Sequence, residues 1–222
     1  LQDVLFLPAD RMILTYSKDN CTEAWLYSVK GERLSRIELP TFGSASFSGS
    51  RKQDECFFSF TSYTVPTTIY RFDPATGKSQ VESQPKVNVR LNDYTTEMVF
   101  CTSKDGTKVP LFLTYRKGLK RNGKNPVMLY GYGGFNICYP PSFSPMRIPF
   151  LENGGIYAYA ALRGGGEYGE SWHLAGTKLQ KQNVFDDFIS AAEWLISEKY
   201  TDSNHLAIYG GSNGGLLVGA CM

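Results

Sequence analysis

Near its C-terminal end the sequence reads Ile208-Tyr209-Gly210-Gly211-Ser212-Asn213-Gly214-Gly215-Leu216-Leu217, one serine set among four glycines. Residues 205–209 have the look of a short buried strand, and nothing after Ser212 breaks a helix. A serine on a sharp strand-to-helix turn of the form G-x-S-x-G presents its hydroxyl for nucleophilic attack. Small neighbours suit such a turn, because backbone passes where side chains would clash and φ > 0 is cheap only for glycine. The chemistry implied is acyl transfer through Ser212. The bland alternative is a chance match, since the sequence contains 22 glycines.

A nucleophilic serine needs a base, and the base needs a group to hold it. There are two histidines. His205 opens the strand that ends at Ser212; about seven residues at ~3.3 Å each put the two roughly 20 Å apart, too far for proton transfer. His173 is not ruled out by distance. In the α/β-hydrolase order, however, the nucleophile comes first, then the acid, then the histidine. The ten residues after Ser212 include no Asp, Glu or His. Either His173 breaks the order, or the base and its carboxylate lie in sequence beyond Met222; the second reading is preferred.

Charge developing on a substrate carbonyl needs donors. One is expected from the backbone N–H of Asn213, the residue after the nucleophile. A second is expected from Gly131-Tyr132-Gly133-Gly134-Phe135, a glycine-rich loop that follows the apolar run 127–130. Either the Tyr132 hydroxyl donates there, or the loop is an ordinary turn with Tyr132 packed on the core. Arg163-Gly164-Gly165-Gly166-Glu167-Tyr168-Gly169 also follows an apolar strand. It is a poor dinucleotide loop, because no helical pattern starts there, and it reads better as backbone packed beneath the site.

The elements that must position these residues fall into two kinds. Residues 1–85 read as short strands separated by turns, at 12–16, 24–29, 33–39, 56–61 and 68–72, with no helical period. Trp25-Leu26-Tyr27 before Gly31 and Ile69-Tyr70-Arg71-Phe72 before Gly77 echo one another at about 45 residues, a spacing seen in propeller blades. A sandwich or barrel is equally compatible with the strands alone. After about residue 85 the character changes. Residues 96–100 and 109–115 form an expected hairpin around Asp105-Gly106, with a type I′ turn. The runs 127–130 and 155–162 are continuously apolar, as in strands covered on both faces. Residues 184–199 form the one long helix, with Phe185, Phe188, Ile189, Ala192, Leu195 and Ile196 on its apolar face. Asn183 is its expected cap, and Asp186 and Asp187 suit the positive end of its dipole.

Composition bounds the rest. At 222 residues, 42% hydrophobic and 20% charged, the chain can bury a real core. A net charge of +2 with scattered basic residues argues against a nucleic-acid or membrane partner. Five cysteines without C-x-x-C spacing suggest neither a disulfide framework nor a zinc site, and mildly favour a reducing compartment. The start at Leu1 and the stop shortly after Ser212 both read as cuts through a longer protein.

Taken together, Tyr130-Gly131-Tyr132-Gly133-Gly134-Phe135, the stretch from Arg163 to His173, Lys181-Gln182-Asn183-Val184-Phe185-Asp186-Asp187-Phe188 and Gly210-Gly211-Ser212-Asn213-Gly214-Gly215 resemble the prolyl oligopeptidase family in order and spacing. The resemblance implies an α/β fold: residues 1–85 as the C-terminal blades of a β-propeller, and residues 86–222 as the first part of an α/β-hydrolase catalytic domain. It implies a cofactor-free, metal-free serine peptidase that cuts short peptides after proline, monomeric and cytoplasmic, with the periplasm as the alternative compartment. Ser212 would be the nucleophile, the Tyr132 hydroxyl and Asn213 N–H the oxyanion donors, and Phe135, with Asn213, part of the proline site. The catalytic Asp and His would lie outside this sequence, leaving the 222 residues inactive alone. The rival readings are a related esterase or oligopeptidase B-like peptidase, and a non-catalytic propeller fragment. Asn213 and the Gly134-Phe135 pair argue against oligopeptidase B.

Overall fold

The computed structural model describes residues 1–222. The chain divides into two compact units, Leu1–Leu91 with Pro140–Ser144, and Asn92–Tyr139 with Pro145–Met222.

The first unit consists of β1 (Asp3–Leu7), β2 (Arg11–Lys18), β3 (Cys21–Ser28), β4 (Arg33–Ile37), β5 (Ser44–Ser50), β6 (Gln53–Thr61), β7 (Thr68–Asp73) and β8 (Lys78–Ser83). They form two four-stranded antiparallel sheets, β1-β2-β3-β4 and β5-β6-β7-β8, in which each strand pairs with its neighbour in sequence. Such four-stranded meanders are the blades of a propeller. The period-2 alternation of strand side chains is plain in β6, where Cys56, Phe58 and Phe60 are buried between less buried neighbours. They share one core with Phe47 and Phe72 and with Leu7, Ile13, Leu26 and Ile37 of the other sheet. Burying each large side chain of this kind contributes roughly 1.5–3 kcal/mol. The echo between residues 25–31 and 69–77 corresponds to β3 and β7, each the third strand of its sheet. Three strands carry no clear signal in the sequence. β5 is serine-rich, β8 is exposed along its whole length, and β1 is an edge strand. Their ladder hydrogen bonds to β6, β7 and β2 hold them in place. Residues 140–144 join this unit through a Ser44 Oγ–Pro141 O hydrogen bond of 2.8 Å and a Phe143 N–Thr61 Oγ1 bond of 3.0 Å.

The second unit consists of β9 (Tyr94–Thr102), β10 (Lys108–Arg116), β11 (Val127–Gly131), α1 (Ile148–Glu152), β12 (Ile156–Ala160), α2 (Glu170–Leu174), α3 (Gln182–Ser197), β13 (Leu206–Tyr209) and α4 (Asn213–Cys221). Its sheet has the order β13-β11-β12-β10-β9. β11 runs parallel to β12 and β13, while β10 is antiparallel to β9 and β12. β12 is buried at every position, as its unbroken apolar run requires. α3 packs Val184, Phe188, Ala191 and Leu195 into one core with Leu111, Leu113, Leu129 and Ala158. This is a partial α/β-hydrolase sheet, and the molecule pairs it with propeller-type blades.

Local geometry corrects four expectations. The hairpin between β9 and β10 is not type I′, which needs φ > 0 at both central residues. Gly106 alone has φ +89°; its N–H donates to Ser103 O at 2.9 Å, and Ser103 N–H donates to Thr107 O at 2.8 Å. The Asp105 carboxylate accepts from Thr107 N–H at 3.0 Å and so holds Asp105 out of the left-handed region. Asn183 does not cap α3: the helix begins at Gln182, and Asn183 Nδ2 donates to Ala175 O at 2.9 Å. The buried stripe of α3 is 184, 187, 188, 191 and 195, with Ile189 and Ile196 exposed. The stripe is displaced because a fully buried Asp187 occupies one of its positions, and that aspartate serves an ion pair rather than the helix dipole. Finally, a helix does follow the 163–169 segment. It is α2, too short at five residues to show a helical period.

Candidate active site

Ser212 lies on the turn between β13 and α4, exposed, with φ 55° and ψ −118°. Few non-glycine residues adopt such a conformation, and it costs about 1–3 kcal/mol. The turn is closed by Gly214 N–H donating to Gly211 O and Gly215 N–H to Ser212 O, each at 2.8 Å. Two of the four glycines around Ser212, Gly210 and Gly214, are required by contact rather than by φ, whereas a Cβ on Gly211 or Gly215 would meet open space. A Cβ on Gly210 would lie 2.4 Å from Gly214 O, and one on Gly214 would lie 2.7 Å from Gly131 O. The positive φ falls on the serine itself. Because Ser212 precedes the first turn of α4, negative charge developing beside it meets the positive end of the helix dipole.

The glycine-rich loop after β11 lies directly against this turn. Asn213 Nδ2 donates to Tyr132 O at 2.6 Å, so the residue after the serine is tied to the loop by its side chain. Lys181 Nζ donates to Gly133 O at 2.7 Å and to Asn213 Oδ1 at 3.4 Å. Tyr132 is buried, with its ring edge-on to Tyr139 at 5.0 Å between centroids. Phe135 is the opposite case: it is 73% exposed, and its backbone has φ +56°. An exposed aromatic ring on strained backbone offers apolar surface to a ligand.

Beneath the loop, the segment after β12 packs backbone to backbone. Asn136 N–H donates to Gly164 O at 3.1 Å, and a Cβ on Gly164 would lie 2.7 Å from Gly133 O. Arg163 anchors this segment. It is 4% exposed; its Nη2 meets Asp187 Oδ1 at 2.5 Å, its Nη1 meets Asp105 Oδ2 at 2.5 Å, and Nη2 also donates to Ser103 Oγ at 3.2 Å. The Arg163 guanidinium holds the Asp105 carboxyl down at about 2. Glu167 is buried as well: Oε1 accepts from Tyr159 Oη at 3.1 Å, while Oε2 has no partner. Burial raises its pKa to about 7.

Each histidine has a partner of its own other than the serine. His173 Nδ1 donates to Gly164 O at 2.8 Å, a carbonyl that can only accept. His205 pairs with Asp202 at 2.6 Å, just before β13 begins, whereas Ser212 follows the end of that strand. No group of three or more His, Cys, Asp and Glu side chains is placed to hold a metal ion. Of the residues singled out in the sequence, Ser212, Asn213 and Tyr132 are therefore brought together at one sheet edge, with Phe135 three residues along the same loop. Sequence reasoning assigned no role to Lys181, nor to the network around Arg163. The available signal was an arginine directly after an apolar strand and an aspartate among the apolar positions of α3.

Comparison with known proteins agrees with this arrangement. Residues 2–85 match the N-terminal β-propeller domain model of prolyl oligopeptidase, and residues 141–222 match the prolyl oligopeptidase family model. A prolyl endopeptidase of Elizabethkingia meningoseptica is 50% identical over 209 residues, covering 94% of this chain and 30% of the relative. One from Dictyostelium discoideum is 42% identical over 224 residues, covering 99% of this chain and 30% of the relative. A solved prolyl endopeptidase structure superposes with a TM-score of 0.92 at 48% identity, covering all of this chain and 33% of that one. Prolyl oligopeptidase B of Galerina marginata, bound to a 25mer macrocyclization substrate, gives 0.93 at 38% identity, covering all of this chain and 31% of that one. The chain thus spans about a third of the length of the relatives it matches. With residues 2–85 and 141–222 both matched by models of one family, the chain belongs to the prolyl oligopeptidase family.

Proposed function

We propose that these residues are part of a serine peptidase that hydrolyses short peptides on the carboxyl side of proline. Residues 1–85 are the C-terminal blades of its propeller, and residues 86–222 the first part of its catalytic domain. Ser212 Oγ attacks the scissile carbonyl and forms an acyl-enzyme. The Asn213 backbone N–H and the Tyr132 hydroxyl stabilise the oxyanion, and Phe135, with Asn213, contributes to the proline site. The observation that carries the reading is the strained backbone of Ser212, presented at the start of α4 and tied through Asn213 to the Tyr132 loop. Strain at an exposed nucleophile is a cost that a merely structural turn would not retain. Proline specificity rests on the names of the relatives, prolyl endopeptidases at 42–50% identity.

The base and its carboxylate come from outside these 222 residues. Both histidines present are engaged elsewhere, one by a backbone carbonyl and one by Asp202. The full-length protein acts as a cytoplasmic monomer on peptides, without cofactor, metal, nucleic acid or membrane. No helix in the chain is long and apolar enough to cross a membrane.

A fluorophosphonate probe tests the assignment. The full-length protein should label, Ser212→Ala should not, and the isolated 222-residue chain should label weakly or not at all. Failure of the full-length protein to label would overturn the peptidase. Robust turnover by the 222-residue chain would overturn the placement of the base outside it.

A further inference from the structure

We infer that Lys181 is a positioning residue: its ammonium group fastens the glycine-rich loop to the residue after the nucleophile and fixes the spacing of the two oxyanion donors. The inference rests on the peptidase reading above and extends it to a residue that touches neither substrate nor Ser212.

Three hydrogen bonds close one circuit. Asn213 Nδ2 donates to Tyr132 O at 2.6 Å, Lys181 Nζ donates to Gly133 O at 2.7 Å, and the same Nζ reaches Asn213 Oδ1 at 3.4 Å. The two carbonyls belong to the peptide units on either side of Gly133, directly after Tyr132, and Asn213 is the residue whose N–H faces the oxyanion. Loosening the Lys181 corner frees the loop and the Asn213 amide together. Tyr132 O and the Lys181 ammonium fix the amide's orientation together, because a flipped amide would set Oδ1 against Tyr132 O and Nδ2 against Lys181 Nζ.

The identity of the residue is informative in itself. A partly buried ammonium without a carboxylate partner is costly. Lys181 nevertheless rests on two neutral oxygens, with the Phe185 ring 5.9 Å from its Nζ. Burial lowers its pKa from the ordinary lysine value. The groups facing it are the Gly133 carbonyl from the loop after β11, the Asn213 amide from α4 and the Phe185 ring from α3, and none of them titrates. In the first turns of α3, which Lys181 directly precedes, Asp186 is bonded to Gln182 at 3.0 Å. Loss of the Lys181 proton therefore weakens the circuit as pH rises, and does so at lower pH than for a solvated lysine. Charge-assisted hydrogen bonds are about twice as strong as neutral ones, so the neutral amine holds less well.

The test is the pH dependence of kcat and KM for a prolyl peptide, measured on full-length wild-type protein and on the variants Lys181→Arg and Lys181→Met, with thermal unfolding of each. Wild type should lose kcat on the alkaline side. Lys181→Arg, which stays charged, should move that limb to higher pH. Lys181→Met should lower kcat roughly 10- to 100-fold and flatten the limb, with KM changing much less. A Met variant with wild-type kcat would overturn the inference. So would a loss of kcat that follows loss of folded protein and leaves the alkaline limb in place. An inactive wild type would instead overturn the peptidase reading beneath it.

Discussion

Gly134 and Asn213 occupy one another's space: a Cβ on Gly134 would lie 2.5 Å from Asn213 Nδ2 and 2.9 Å from its Cγ. The φ of Gly134 is not in the left-handed region, so the backbone there would accept alanine. What excludes a side chain is the Asn213 amide on its way to Tyr132 O. The two residue types are therefore coupled, and a side chain at one position requires a smaller residue at the other.

Gly134→Ala should destabilise the fold by about 1–3 kcal/mol, the usual range for overpacking. In an Asn213→Ala background the same substitution should cost much less, because the methyl then enters the space the amide has left. Urea unfolding of the two single variants and the double variant forms the cycle. Additive costs would show that the two residues do not share that space.

The Arg163 network makes a second prediction. Asp187 is fully buried against the guanidinium, whereas the Asp105 side chain is 47% exposed. Asp187→Asn strips a buried cation of its buried partner and should cost ~3–5 kcal/mol. Asp105→Asn should cost much less, because solvent screens that pair. The folded-state pKa of Asp105 is lowered to about 2, so its contribution is present above the unfolded carboxyl value and is lost as pH falls from about 4 towards 2. Unfolding free energies of wild type and Asp105→Asn should therefore converge over that acid range.

How far the sequence alone led depended on whether a residue's neighbours were local. The strand-to-helix turn at Ser212, the loop after 127–130 and the strong strands of the first unit are patterns over a few residues, and they were legible. β5 and β8 were not, because serine-rich or exposed strands are held by pairing partners rather than by their own apolar period. The face of α3 was displaced because Asp187 reads as polar in sequence, while its burial is caused by Arg163, 24 residues earlier. Glycine had a similar ambiguity. The sequence suggested φ > 0 around Ser212, but close backbone approach is what Gly210 and Gly214 supply. Lys181 in the circuit with Gly133 and Asn213 could be recognised only once three separate segments had been brought together.

Glu167 provides a prediction of opposite sign to Asp105. Its carboxyl is buried with Oε2 unpartnered, and burial raises its pKa from 4.5 to about 7. A raised carboxyl pKa means that folding favours the neutral form. Stability is then greatest below the unfolded value and declines as pH rises from about 4.5 through 7. The decline amounts to roughly 3 kcal/mol for a shift of this size. Glu167→Gln keeps the shape and removes the charge, so it should be more stable than wild type at pH 8 and should flatten this decline. A Gln variant as pH-dependent as wild type would show that Glu167 does not titrate in this range.

Tyr132 is the residue whose two readings differ most in their kinetic consequence. It is buried against Tyr139, which itself meets the Tyr130 ring at 5.9 Å, so its ring already has a packing role. Tyr132→Phe preserves that packing and removes only the hydroxyl. If the hydroxyl donates to the oxyanion, the variant of the full-length protein should lose roughly 100-fold or more in kcat, equivalent to ~2.7–4 kcal/mol of transition-state stabilisation, with KM little changed. Interactions made only in the transition state leave this signature, because they lower kcat and kcat/KM together. Tyr132→Ala should add a loss of stability to that effect, since it also removes the buried ring that packs on Tyr139. An unchanged kcat in Tyr132→Phe would confine Tyr132 to packing and leave the Asn213 N–H as the one donor identified in these residues.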